Sequence, residues 1–201
     1  MKSVLSVLVG FAVMSMAGCG LLDDECASDA GEIRVASADG DFYIDKYEAS
    51  RANATSATMG TGVTAACNMA ATVPWGNVTY EDAKNACLDA GKRLCTREEW
   101  MAACGANYPY GSSYQKGVCN DGGTESSVSG GHSGCLTSSG IYDISGNLRE
   151  WVEGGILMGG GYLSGSTELT CNSGKTISDP LSYSPSQADG FRCCRDVSIL
   201  P

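Results

Sequence analysis

Apolar and polar positions change rhythm several times along the chain, and each rhythm predicts a different element. After Lys2 comes an apolar run, VLSVLVGFAVM, followed by small residues, SMAGC. A basic start, a short apolar centre and a small-residue end predict a secretory signal over residues 1–18, too short for a stable membrane span. FYIDKYEAS (42–50) alternates apolar with polar residues and predicts a strand. Residues 51–74 are rich in Ala, Thr and Gly without a period and predict a loop. In VTYEDAKNACLDAG the spacing shifts to three and four: Tyr80, Ala83, Cys87 and Ala90 share one face. Thr79 caps that helix, Glu81 and Asp82 suit its positive end, and Gly91 stops it. In CTREEWMAACG, Thr96 and Glu99 form a capping box and Gly105 is the stop. From Asn107 to Gly140 the chain is Gly/Ser/Asn-rich loop, and GFRCCRDV (190–197) predicts a closing strand. The class is mixed α+β with much irregular structure.

Cysteine usage adds a framework to that loop-rich pattern. Cys19 follows Met-Ala-Gly at the predicted cut, which resembles a bacterial lipobox. Processing there would lipidate Cys19 and leave residues 19–31 as an acidic tether. Gly20, rather than Asp, then points to an outer-membrane lipoprotein in the cell envelope. The alternative is an ordinary signal with a stray cysteine. Of the eleven cysteines, Cys19 set aside leaves an even number in an oxidising compartment, which reads as disulfides. With no C-x-x-C and one histidine, a thiolate-histidine metal cluster is disfavoured. Cys193 and Cys194 are adjacent and point to opposite faces of a strand, so each needs its own partner. Cys119 and Cys135 would staple the 107–140 loop. The formal net charge is −10, which disfavours nucleic-acid binding and is compatible with cation binding.

Seven motifs in order carry a family resemblance: FYIDKYEAS, VPWGNVTYEDAKNAC, GKRLCTREEWMAACG, YPYG, GIYDISGNLREW, GGGYLSG and GFRCC. Together they resemble the formylglycine-generating enzyme, or sulfatase-modifying-factor, family, with the domain over residues 32–197. The resemblance implies a C-type-lectin-like α+β fold with bound calcium. It also implies oxidation of a sulfatase-peptide cysteine to formylglycine, using O2 and copper(I) on two cysteine thiolates.

Those two family cysteines fall here on Ser164 and Leu169. A hydroxyl is a poor ligand for copper(I) and leucine is none, so copper is not expected. Gly165 stands where the family has arginine, and Arg149 where a tryptophan lines the catalytic pocket. The resemblance implies disulfides Cys87–Cys193 and Cys104–Cys171. Cys95–Cys194, Cys26–Cys67 and Cys119–Cys135 are one choice among the many pairings six cysteines allow. It further maps calcium ligands onto the side chains of Asp143 and Glu150 and the carbonyls of Gly146 and Leu148, a hard-oxygen set. The alternative is a solvated acidic turn. A second, more weakly matched calcium set would begin at Asn120 and the carbonyl of Asp121.

Two function classes follow. One is a non-catalytic envelope module, membrane-attached through lipid, that binds a protein, small-molecule or glycan ligand. Arg149, Trp151, Tyr162 and Ser164 would line its surface, with Arg149 either gripping a carboxylate or making a surface salt bridge. The other is an active formylglycine-generating oxidase, for which only the scaffold argues. Ser164 and Glu168 have no base beside them in sequence to make a nucleophile. His132, in a polar loop, is expected at the solvent, and Lys92 and Arg93 are expected to pair structurally.

Overall fold

The computed structural model describes residues 31–197 together with Cys26. The signal segment, Cys19 and, apart from Cys26 and Gly31, the tether lie outside the described residues. In chain order the elements are β1 (Glu32–Val35), β2 (Phe42–Asp45), β3 (Ala49–Ser50), β4 (Cys67–Asn68), α1 (Tyr80–Asp89), β5 (Arg93–Leu94) and α2 (Arg97–Cys104). After the long loop come β6 (Arg149–Val152), β7 (Ile156–Met158), β8 (Gly174–Thr176), β9 (Asp189–Phe191) and β10 (Cys193–Asp196). One sheet has the order β1-β2-β10-β5, a second β8-β7-β6-β9, and β3 pairs β4 alone. All pairings are antiparallel except β6 with β9.

Both helices begin and end as their caps dictate. Thr79 Oγ1 accepts from Asp82 N at 3.1 Å, α1 buries Ala83, Ala86 and Cys87, and Gly91 turns out at φ +70°. Ala86 thus takes the inward place that the spacing gave to Ala90. Thr96 and Glu99 form the reciprocal capping box of α2, which buries Trp100, Ala103 and Cys104 and ends at Gly105.

Two expected strands are each cut in two by a buried polar residue. The 42–50 segment leaves the first sheet after Asp45, and Tyr47 N donates to Asn68 Oδ1 at 3.0 Å. That contact and the β3–β4 pair put a short strand into the expected 51–74 loop. GFRCCRDV breaks at Arg192, so that β9 joins the second sheet and β10 the first.

Five disulfides close the chain: Cys26–Cys67, Cys87–Cys193, Cys95–Cys194, Cys104–Cys171 and Cys119–Cys135. The alternation at Cys193 and Cys194 serves two separate cores. Cys194 and Cys95 sit with Phe42, Ile44, Trp100, Ile144 and Met158. Cys193 and Cys87 sit with Trp75, Val78, Trp151, Leu157 and Phe191. Lys92 and Arg93 pair structurally, Lys92 with Asp45 at 2.6 Å and Arg93 with Glu99 at 2.6 Å.

Candidate functional site

The segment after β7 is built on backbone that only glycine accommodates. Gly159 has φ +81°, and a Cβ there would stand 2.7 Å from Ile144 O and 2.8 Å from the Trp100 ring. Gly160 has φ +63°, and its Cβ would meet Glu168 O at 2.9 Å. Ser164 Oγ accepts from Gly161 N at 3.1 Å, and Glu168 Oε2 accepts from Gly165 N at 3.0 Å. Serine and glutamate therefore stabilise their own turn rather than each other. Leu169 is 2% exposed, and its carbonyl accepts from the Ser145 hydroxyl. Cys171 is held by Cys104.

Of the four residues expected on a binding surface, two are interior. Trp151 is fully buried, because β6 lies between β7 and β9 and its indole is covered edge-on by Tyr80 and Tyr183. Its Nε1 donates to Val78 O at 2.9 Å. Tyr162 packs on Leu148 and Ala188. Both are therefore corrected from ligand contacts to core. Arg149 does face outward and makes a salt bridge. Its Nε donates to Asp189 Oδ1 at 2.7 Å and its Nη2 to the same oxygen and to Ser186 Oγ. Asp189 is itself buried and also accepts from Tyr183 OH and Ser186 N. Beside Arg149 opens a pocket of about 310 Å³, bordered by Leu157, Gly160, Glu168, Ser173, Gly174 and Lys175.

The family described as "Sulfatase-modifying factor enzyme 1-like domain" matches residues 10–197. The chain belongs to this family. No curated protein matches it in sequence. Among solved structures, PvdO from Pseudomonas aeruginosa is 17% identical, with TM-score 0.57 over 84% of this chain and 92% of that one. Treponema denticola variable protein 1 is 13% identical, with TM-score 0.58 over 84% and 93%. CarF is 20% identical, with TM-score 0.51 over 85% and 97%. At such identities the likeness carries the fold alone: α+β, C-type-lectin-like, of the formylglycine-generating-enzyme type.

The family's expected calcium ligands meet a different arrangement in this member. Glu150 is buried and bound by a buried cation: Arg192 Nη2 donates to its Oε1 at 2.6 Å and Arg192 Nε to its Oε2 at 2.8 Å. Trp100 Nε1 donates to Oε2 at 2.7 Å. Asp143, in the left-handed region at φ 52°, accepts from Gly130 N at 2.6 Å through Oδ2, while its buried Oδ1 has no hydrogen-bond partner among the described residues. Gly146 and Leu148 turn their N–H groups to Gly159 O and to Glu48 Oε1. Glu150 is thus already paired with Arg192, while Asp143 keeps one buried oxygen without a hydrogen-bond partner among the described residues. Among the described residues no group of three or more His, Cys, Asp or Glu is placed to hold a metal. Asn120 Nδ2 donates to Glu125 O and Asn147 Oδ1, and the Asp121 carboxylate accepts from Tyr114 OH and Gly117 N.

A buried acid network occupies this region instead, and sequence reasoning missed half of it. Glu48 Oε1 accepts from Leu148 N at 2.9 Å and Oε2 from Asn147 Nδ2 at 2.6 Å. Burial, followed by the charges of Asp143 and Glu150, raises the Glu48 carboxyl well above its usual range. Burial pushes Asp143 up to about 6, against the opposing pull of the Gly130 N–H, Arg192 and His132. Burial alone would lower the Arg192 guanidinium, but Glu150 beside it, with Glu48 and Asp143, holds it above its ordinary value. His132 is partly exposed and within electrostatic reach of Asp143.

Proposed function

We propose that this chain is a non-catalytic, lipid-anchored envelope member of its family that binds a ligand or scaffolds an envelope complex. The observation that carries the proposal is the absence of a thiolate pair among the described residues. All their cysteines are consumed in five disulfides, and the two family copper positions are the serine of a turn and a leucine in the interior. Copper(I) takes soft thiolate ligands, and Ser164 and Leu169 supply none. Attachment rests on the lipobox-like stretch ending at Cys19, and intact-mass measurement of the host protein tests it through the added acyl mass.

The decisive assay incubates the full chain with copper(I), oxygen and a Cys-x-Pro-x-Arg peptide and looks by mass spectrometry for the aldehyde. The expected result is no conversion above a copper blank. Turnover above that blank would sink the non-catalytic reading in favour of an active oxidase.

A further inference from the structure

The pocket beside Arg149 has a charge layout that selects a ligand chemistry. Arg149 is locked on one edge, since Nε and Nη2 are both held by buried Asp189 and Nη2 also by Ser186. Its side chain is 22% exposed and borders the pocket, so part of the guanidinium is reachable from solvent. The guanidinium is thereby pre-oriented, with its rotamer entropy already spent on Asp189. Lys175, on exposed strand β8, borders the same pocket and has no ion-pair partner among the described residues. Opposite in charge is Glu168, whose Oε2 takes the Gly165 N–H while Oε1 stays unengaged. Leu157, Ser173, Gly160 and Gly174 complete its border.

We infer that this pocket binds a small carboxylate that carries a hydrogen-bond donor group nearby. The carboxylate would lie between the exposed part of the Arg149 guanidinium and Lys175 Nζ, and the ligand's donor would meet Glu168. Asp189 neutralises Arg149, and Glu168 balances Lys175, so the site as a whole has no excess charge. A bare anion gains less there than a molecule with both an acid and a donor. Such a molecule is an amino acid if the donor is an ammonium, or a uronate sugar if it is a hydroxyl. A volume of about 310 Å³ is of the right order for either. The inference rests on the binding-module reading and names the class of ligand for it.

The test is a titration of the full chain, held in detergent micelles, with L-serine, D-glucuronate and neutral D-glucose in separate arms. The readout is the NMR signal of Arg149 Nε–H and of the Leu157 methyls. Saturable shifts with serine or glucuronate, and none with glucose, are expected. Lys175→Gln, on an exposed strand away from the core, should weaken that binding about fivefold. Glu168→Gln should weaken serine more than glucuronate if the donor is an ammonium, and both alike if it is a hydroxyl. Arg149→Gln should abolish binding, with near-UV circular dichroism checking that the Asp189 region still folds. No saturable shift from either carboxylate, equal binding of glucose, or a Lys175→Gln variant that binds like the parent would each overturn the site. Those results leave the non-catalytic reading standing, whereas peptide turnover overturns that reading without touching the titration.

Discussion

Replacing Asp143 by asparagine asks whether its carboxylate is a burden or an anchor. Asp143 is fully buried, one oxygen accepts from Gly130 N, and the other has no hydrogen-bond partner among the described residues. Burial raises its carboxyl from 3.8 to about 6. A folded-state pKa above the unfolded one means the native protein holds the proton longer. The associated stability is present below about pH 4 and is lost as pH rises through 6. A rise of that size corresponds to about 3 kcal/mol at full ionisation, of which about 2 kcal/mol falls between pH 4.5 and 7.5. The asparagine amide would keep an acceptor oxygen for Gly130 N and remove the charge. Urea unfolding of parent and Asp143→Asn, disulfides intact, should therefore show the variant gaining on the parent as pH rises from 4.5 to 7.5. Glu48 titrates in both proteins and feels the Asp143 charge, so the difference between the two slopes reports Asp143 together with its coupling to Glu48, both acting in the same direction. A variant that loses ground at pH 7.5 relative to pH 4.5 would refute the reasoning. It would mean that the carboxylate is ionised and held by a cation.

Other perturbations read the rest of the frame. Arg192→Met leaves Glu150 buried without its cation and should cost about 3–5 kcal/mol in urea unfolding at pH 7, much of it recovered by adding Glu150→Gln. Removing the Cys104–Cys171 bridge as a double alanine variant frees a 67-residue separation and should lower unfolding free energy by about 4 kcal/mol on the loop-entropy model. Adding millimolar calcium or excess EDTA should move the melting temperature by less than about 1 °C, because a ligand that does not bind the native state shifts nothing. A rise with calcium would restore the expected set at Asp143 and Glu150.

What the sequence made legible follows from how local each signal is. Helix ends were legible because a cap is a contact across three residues, as at Thr79–Asp82 and Thr96–Glu99. The fold was legible through its ordered motifs. The two strand breaks were not, because they are set by distant partners: Asn68 for Tyr47, and Glu150 for Arg192. The same distance hid the true place of Trp151. On parity it shares a side of β6 with Arg149, but Tyr80 and Tyr183, from elements far along the chain, close over it. The ion pair at the expected calcium set was hidden for a related reason. Asp143 and Glu150 are near in sequence, while Arg192, which claims Glu150, lies 42 residues on.

The glycine-rich segment shows why a family motif can stay readable after its thiols are gone. Gly159 and Gly160 are fixed by clashes with Ile144 O, the Trp100 ring and Glu168 O, all belonging to the fold. Cys171 is fixed by its bridge to α2. Ser164 and Leu169 stand where the resemblance puts the family's reactive groups, and each now has a structural use. The serine hydroxyl accepts from Gly161 N, and the leucine is buried with its carbonyl on Ser145. Packing physics therefore accounts for every recognisable feature of the segment without invoking oxidation. Arg149, Lys175 and Glu168, which border one pocket, keep exposed polar atoms that this packing does not use.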